Sequence, residues 1–225
     1  GWPRQDCRRT ARRPSTGAPE RARAAGITLT KRSAELLAAH ARTVLESNQR
    51  LHLTAITQPA AFFERHLGEE FEGAALLPRS IKGIALDLGS GNGYPGIPLA
   101  IARPGLIPVL AEASSKKADF LRAALAAAGL KEGRVLEAHV SRTVDLEDLP
   151  PLAVIATRAM GGWERIVPKL ISRISPNGRI LIWAGAGAET IMARASWSRL
   201  SVEKSRALPE REHSRVYCLK LTTKI

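Results

Sequence analysis

Apolar residues at Ala34, Leu37, Ala38, Ala41, Val44 and Leu45 recur at three- and four-residue intervals. That period predicts an amphipathic helix over residues 30–48, with Thr30 as its N-cap. A short extended stretch at 51–56 leads to Pro59, a residue suited to a first helical turn, after which Phe63, Leu67 and Phe71 fall four apart on one face. From Ile81 the pattern changes to short aliphatic or β-branched runs separated by alanine-rich stretches, the alternation expected of a mostly parallel sheet with crossover helices. Strands are predicted at 84–88, 107–112, 134–138, 153–157, 179–183, 201–206 and 215–221. Helices are predicted at 97–102, 115–128, 163–174 and 188–194. The chain thus divides into a tail (1–29), a helical N-terminal cap (30–80) and an α/β Rossmann-like core (81–225).

Charge changes the picture mainly at the start. The chain carries 34 Lys and Arg against 21 Asp and Glu, a formal net charge of +13, which favours a polyanionic partner such as nucleic acid. Nine of the basic residues and only two acidic ones, Asp6 and Glu20, fall within residues 1–32, together with Pro3, Pro14 and Pro19. A segment so poor in large apolar side chains is expected to be disordered, because burial offsets too little ordering entropy. It reads as a basic arm for RNA, an Arg-rich transit segment, or sequence lying upstream of the native protein. No run approaches the roughly 18 apolar residues of a membrane span, so no membrane partner is expected. Two cysteines, Cys7 and Cys218, make neither a disulfide framework nor a metal site, which fits a cytoplasmic location.

The candidate chemistry begins where the first core strand ends, at Asp87-Leu88-Gly89-Ser90-Gly91-Asn92-Gly93-Tyr94-Pro95-Gly96. Glycines let the backbone turn tightly and let a ligand lie against bare peptide at the carboxyl end of a strand, where open α/β sheets bind their ligands. Gly91, Gly93 and Gly96 also satisfy the dinucleotide fingerprint, and Glu112 lies 19 residues after Gly93, near the place of a ribose-binding acid. Two features point instead to S-adenosylmethionine. Asp87 suits a cationic amino-acid group and repels phosphate, and Pro95 removes an N–H that a pyrophosphate would use. A nicotinamide-dependent oxidoreductase stays open as an alternative, as does a non-catalytic RNA-binding protein.

The blocks Leu51-His52-Leu53-Thr54-Ala55-Ile56, Arg65-His66, Asp87 to Leu99, Glu112 to Leu121, Ser141-Arg142 and Thr157-Arg158-Ala159 resemble, in that order, the RsmG family, also called GidB. Its members methylate a guanine at N7 in the 16S rRNA of the bacterial small ribosomal subunit. The resemblance implies a class I methyltransferase fold with a seven-stranded, mostly parallel sheet, its last strand antiparallel, behind the helical cap. It implies S-adenosyl-L-methionine as cofactor, held by Asp87, Gly89, Gly91, Tyr94, Glu112, Thr143, Val144 and Arg158. Glu112 would take the ribose, and Thr143 and Val144 the adenine side. It also implies RNA contacts through Arg142, Arg158 and Arg215, and a monomer acting on the small ribosomal subunit. Three positions depart from the family pattern: His52 replaces a frequent asparagine, Thr143-Val144-Asp145 differs from the usual small-acidic pair, and Trp183-Ala184-Gly185 stands where a Lys-Gly is usual.

Guanine N7 is unprotonated at neutral pH, so its methylation needs no general base. Catalysis is expected to rest on alignment, which supplies up to ~7–11 kcal/mol in favourable models. Arg142 and Arg158 are the candidates for orienting the base or its phosphate through forked hydrogen bonds. His66 and His139 have no necessary role in such a reaction, so structural hydrogen bonding is expected of them.

Overall fold

The computed structural model describes residues 17–208 and 211–222. A seven-stranded sheet runs in the order β3-β2-β1-β4-β5-β7-β6, built from β1 (Gly83–Leu88), β2 (Leu106–Ala111), β3 (Arg134–Leu136), β4 (Leu152–Arg158), β5 (Ile174–Ala184), β6 (Leu200–Ala207) and β7 (Arg215–Leu221). The first five strands are parallel, and β7 runs antiparallel to both β5 and β6. Alternation along each strand feeds two cores. Ala85, Leu110, Val154, Ala156, Leu181 and Val216 face one side. Ile84, Leu86, Val109, Ile155, Ile180 and Tyr217 face the other. The period of two therefore turns Asp87 and Arg158 toward the first side, two residues beyond Ala85 and Ala156 respectively.

That side is covered by α1 (Ala18–Ala24), α2 (Lys31–Leu51), α3 (Pro59–Phe62), α4 (Gly68–Leu76), α5 (Gly96–Ala102) and α6 (Ser115–Ala127). Helix α2 begins as expected: the Thr30 hydroxyl accepts from the Ser33 N–H at 3.0 Å. It continues past Asn48 to a left-handed cap at His52. Asn48 instead ties down the following loop, donating to the Thr54 carbonyl (2.9 Å) and accepting from the Thr54 N–H (2.8 Å). Between α3 and α4 a π turn, Phe63–Leu67, adds one residue to the helical repeat. Buried Phe62 accordingly stands five positions before buried Leu67, and the side chain of Phe63 lies outside the description.

Two expectations need correction. The tail was drawn too long: residues 1–16 lie outside the described residues, but Ala18–Ala24 is an ordered helix that buries Ala18 and Ala22, with Ala25 and Ile27 after it. Small side chains one turn apart let this basic segment pack closely, and the Arg206 guanidinium donates to the Ala25 carbonyl (3.0 Å) and to Glu72 (2.8 Å). The single helix expected over 163–174 is a short α7 (Trp163–Ile166) followed by a 3₁₀ stretch, Val167–Arg173, because Pro168 lacks the N–H that an α-helix would require there. These segments and α8 (Ala188–Met192) cover the second face. Among the described residues no helix is long and apolar enough to cross a membrane.

Candidate active site

The strand registers bring the sequence-predicted residues to one edge of the sheet. Leu88 is level with Ala111 of β2 and Thr157 of β4, Arg158 is paired with Trp183, and Ala184 with Arg215. Asp87, Glu112, Arg158 and Arg215 thus line the carboxyl edge, where a parallel sheet presents its ligand site. The loop after β1 is organised by the two carboxylates that flank it. Gly91, at φ 53°, donates its N–H to Glu112 Oε2 at 3.0 Å, and Ser114 N–H reaches Oε1 at 2.9 Å. A side chain at Gly91 would strain that left-handed turn. Gly96 N–H donates to Asp87 Oδ2 at 3.0 Å, and the approach requires glycine, since a Cβ would stand 2.8 Å from that oxygen and 2.5 Å from Leu110.

Asp87 is buried, and its Oδ1 has no hydrogen-bond partner among the described residues. Burial pushes its carboxyl up to about 7, against the opposing pull of the Gly96 N–H. A buried carboxylate oxygen left without a donor costs about 1–3 kcal/mol, so it is suited to a cationic donor arriving in the loop. Glu112 is only half-buried, and each of its oxygens keeps a free lone pair beyond its backbone bond. Val144, on the 3₁₀ turn Thr143–Leu146, is 48% exposed, one of two large apolar side chains so exposed among the described residues. The two carboxylates therefore fit S-adenosylmethionine: one acceptor for its amino group and one for its ribose hydroxyls.

Tyr94, expected beside the cofactor, has a buried side chain. Its ring turns into the helical layer, stacked on His40 with centroids 4.7 Å apart, tilted against His66 at 5.1 Å and edge-on to Phe62 at 5.6 Å. Burial raises its hydroxyl well above the usual tyrosine range. His40 lies 3.0 Å through Nε2 from the Asn92 carbonyl, and burial lowers it to about 4, so it is neutral and donates that proton to pin the loop from beneath.

Arg158 is the centre of a second cluster that the sequence did not disclose. Its guanidinium, only 8% exposed, meets Glu69 Oε2 at 2.8 Å, Glu70 Oε1, and His66 Nδ1 at 3.0 Å. Arginine has only donors, so His66 Nδ1 must accept, which leaves its proton on Nε2 facing the Thr54 hydroxyl at 3.2 Å. Burial, reinforced by the Arg158 charge, lowers His66 to about 3, in agreement with that neutral form. Burial raises the Glu70 carboxyl to about 8, opposed by Arg158. Arg158 thus has its guanidinium engaged by α4 and the π turn rather than reaching into solvent. Glu69 and Glu70 carried a signal in the sequence, two of three acids, with Glu72, inside an otherwise apolar helical stretch.

The remaining arginines stand differently. Arg142 is 71% exposed beside Asp145 at 3.5 Å, while Arg215 donates to the Ser205 hydroxyl at 2.9 Å from the wall of an open cleft of about 930 Å³. A smaller cavity of about 330 Å³ adjoins it, lined by Glu69, Arg158, Met160, Trp163, Trp183 and Arg211.

This strand order, with helices on both faces and the site at the carboxyl edge, defines the Rossmann-like fold of class I S-adenosylmethionine-dependent methyltransferases. Solved structures share it: a ribosomal protein L11 methylase from Lactobacillus delbrueckii subsp. bulgaricus (TM-score 0.55, 11% identity, 69% of this chain and 78% of that one) and the mitomycin 7-O-methyltransferase MmcR (TM-score 0.52, 18% identity, 81% and 60%). The profile of the family described as rRNA small subunit methyltransferase G matches residues 33–219. Relatives named ribosomal RNA small subunit methyltransferase G occur in Sorangium cellulosum, 35% identical over 82% of this chain and 77% of the relative, and in Myxococcus xanthus, 34% identical over 82% and 85%. The chain belongs to the rRNA small subunit methyltransferase G family, which disfavours both the dinucleotide and the non-catalytic alternatives.

Proposed function

We propose that the protein transfers the methyl group of S-adenosylmethionine to N7 of a guanine in the 16S rRNA of the small ribosomal subunit, working as a cytoplasmic monomer. The observation that carries this reading is the loop between Asp87 and Glu112, where an unpartnered buried carboxylate oxygen and a half-buried ribose-suited acid flank backbone turned by glycine. When bound, the cofactor supplies an electrophilic methyl group on a sulfonium. Asp87 then takes the ammonium of its amino-acid part, Glu112 the ribose hydroxyls, and Thr143 and Val144 border the adenine, with Gly89 and Gly91 giving close backbone approach. The N7 lone pair forms the new N–C bond as the S–C bond breaks, so no proton leaves N7 and no base is required. The guanine becomes cationic.

Orientation is therefore the protein's main contribution. Arg142 and Arg215, on either side of the edge, suit RNA phosphates. Arg158 acts through the acids that it holds. The test is incubation with isotopically labelled S-adenosylmethionine and small subunits from cells lacking the modification. The reading expects label in 16S rRNA and thermal stabilisation of the protein by S-adenosylmethionine but not by NAD. Folded, cofactor-stabilised protein that transfers no label contradicts it.

A further inference from the structure

We infer that the 330 Å³ cavity beyond Arg158 is the pocket for the splayed target guanine, and that Glu69 is the residue that selects guanine by its Watson–Crick edge. The inference rests on the methyltransferase reading above and extends it to the base. Position comes first. The cavity opens beside the glycine loop, for Met160 on its wall lies against Gly89, where a Cβ would stand 3.1 Å from Met160 Cγ. Its other walls include Trp163, Trp183 and the small residues of 184–186, with Glu69, Arg158, Arg211 and Ser214 supplying the polar groups. A cavity with two tryptophans on its walls and several convergent polar groups suits one unstacked base.

The chemistry of N7 decides which edge of the base must be read. N7 lies on the Hoogsteen edge and has to remain free for the methyl group, so a residue that recognises the base without blocking it must face the opposite edge. There guanine presents two adjacent donors, N1–H and the N2 amino group, which match the two acceptor oxygens of a carboxylate. Adenine presents an acceptor at its N1 and is rejected. Glu69 has the required properties. It is fully buried, it lines the cavity, and neither oxygen makes a hydrogen bond of good geometry, although Arg158 stands 2.8 Å from Oε2 and Arg211 Nε 2.6 Å from Oε1. The two ionic partners differ. Arg158 is itself buried and stays, fixing the carboxylate, while the Arg211 side chain is 36% exposed on the β6–β7 connection and is the one that yields to the base. Once Arg211 has moved to the RNA, the Glu69 charge faces the cation that forms on the guanine, which favours the transfer.

The test uses small subunits reconstituted with 16S rRNA carrying either guanosine or inosine at the methylated position. Inosine keeps N7 and N1–H and lacks only the amino group. The wild-type protein is expected to methylate inosine roughly 10- to 100-fold more slowly, the loss of one hydrogen bond to a charged group. Glu69→Gln, shown to be folded by its stabilisation with S-adenosylhomocysteine, is expected to bring the ratio within about threefold. Trp163→Leu is expected to slow both substrates and leave the ratio unchanged, and it keeps the pocket testable if the Glu69 variant does not fold. Equal wild-type rates on the two bases, an unchanged ratio in Glu69→Gln, or undiminished rates in Trp163→Leu each overturn the assignment while label transfer to guanosine stands. No transfer to guanosine overturns the underlying methyltransferase reading instead.

Discussion

At the β1–β2 end of the carboxyl edge, backbone amides hold the two carboxylates: Gly91 and Ser114 fix Glu112, and Gly96 fixes Asp87. At the β4–β5–β7 end, side chains hold side chains, with Arg158 gripping Glu69, Glu70 and His66 and Arg211 reaching the same Glu69. The first arrangement leaves acceptors unspent beside an open loop and suits a small cationic ligand. The second is a network of opposed charges, costly to break at the buried Arg158, and it sets the shape of a cavity. One end therefore binds by what it leaves unpaired, and the other positions by what it has already paired.

The largest way to break this contrast is Arg158→Ala. It strands the buried Glu70 and leaves Glu69 with Arg211 alone, and loss of one partner of a buried ion pair costs about 3–5 kcal/mol. Chemical denaturation is expected to show that loss, with methyl transfer falling in proportion to disrupted structure. A variant of normal stability would show that the cluster holds nothing together. Glu112→Ala probes the other end. It is expected to weaken S-adenosylmethionine binding roughly 10- to 100-fold by calorimetry, with a smaller effect on folding, and unchanged affinity would remove Glu112 from the cofactor site.

The Asp87 carboxyl sharpens the contrast through pH. Its folded value, about 7, lies above the ordinary carboxylate range, so its contribution to stability is full below the unfolded value near 3.8 and is lost as pH rises through about 7. A bound cation favours the ionised form. Cofactor binding near pH 6, where the cofactor's α-amino group is still an ammonium, is therefore expected to release up to about one proton, read by calorimetry as a difference in heat between buffers of different ionisation enthalpy. Asp87→Asn should abolish the difference. The smallest structural effect is expected from Arg142→Ala, since its guanidinium is 71% exposed. The melting temperature should move by no more than about 2 °C, while the slope of log affinity for rRNA against log salt falls by about 0.7–0.9.

The same contrast explains what the sequence disclosed. The cofactor end is contiguous: strand, glycine loop and helix follow one another, and Glu112 closes the next strand only 21 residues after Gly91. Its composition states its geometry. The Arg158 cluster is assembled across long separations, with Glu70 88 residues and His66 92 residues from Arg158, and the Glu69 carbonyl meeting Trp183 across 114. Period and spacing carry no signal over such distances, so the acids and the histidine that hold Arg158 were not legible as its partners, while the structural hydrogen bonding expected of His66 is what it makes. The π turn compounded this, because it adds a residue between Phe62 and Leu67 and rotates His66, Glu69 and Glu70 onto Arg158. Ala18 to Ile27 was misread for a different reason: a basic composition masked small residues spaced to pack.

The most direct test of the two-ended site is to locate the transferred methyl group. Label from S-adenosylmethionine should be found on one nucleoside of 16S rRNA, as 7-methylguanosine, seen after nuclease digestion and as strand scission on reduction and aniline treatment. Label on another atom of guanine, on another base, or spread over many positions would contradict an account in which the cofactor end supplies the methyl group and the Arg158 end presents guanine N7 to it.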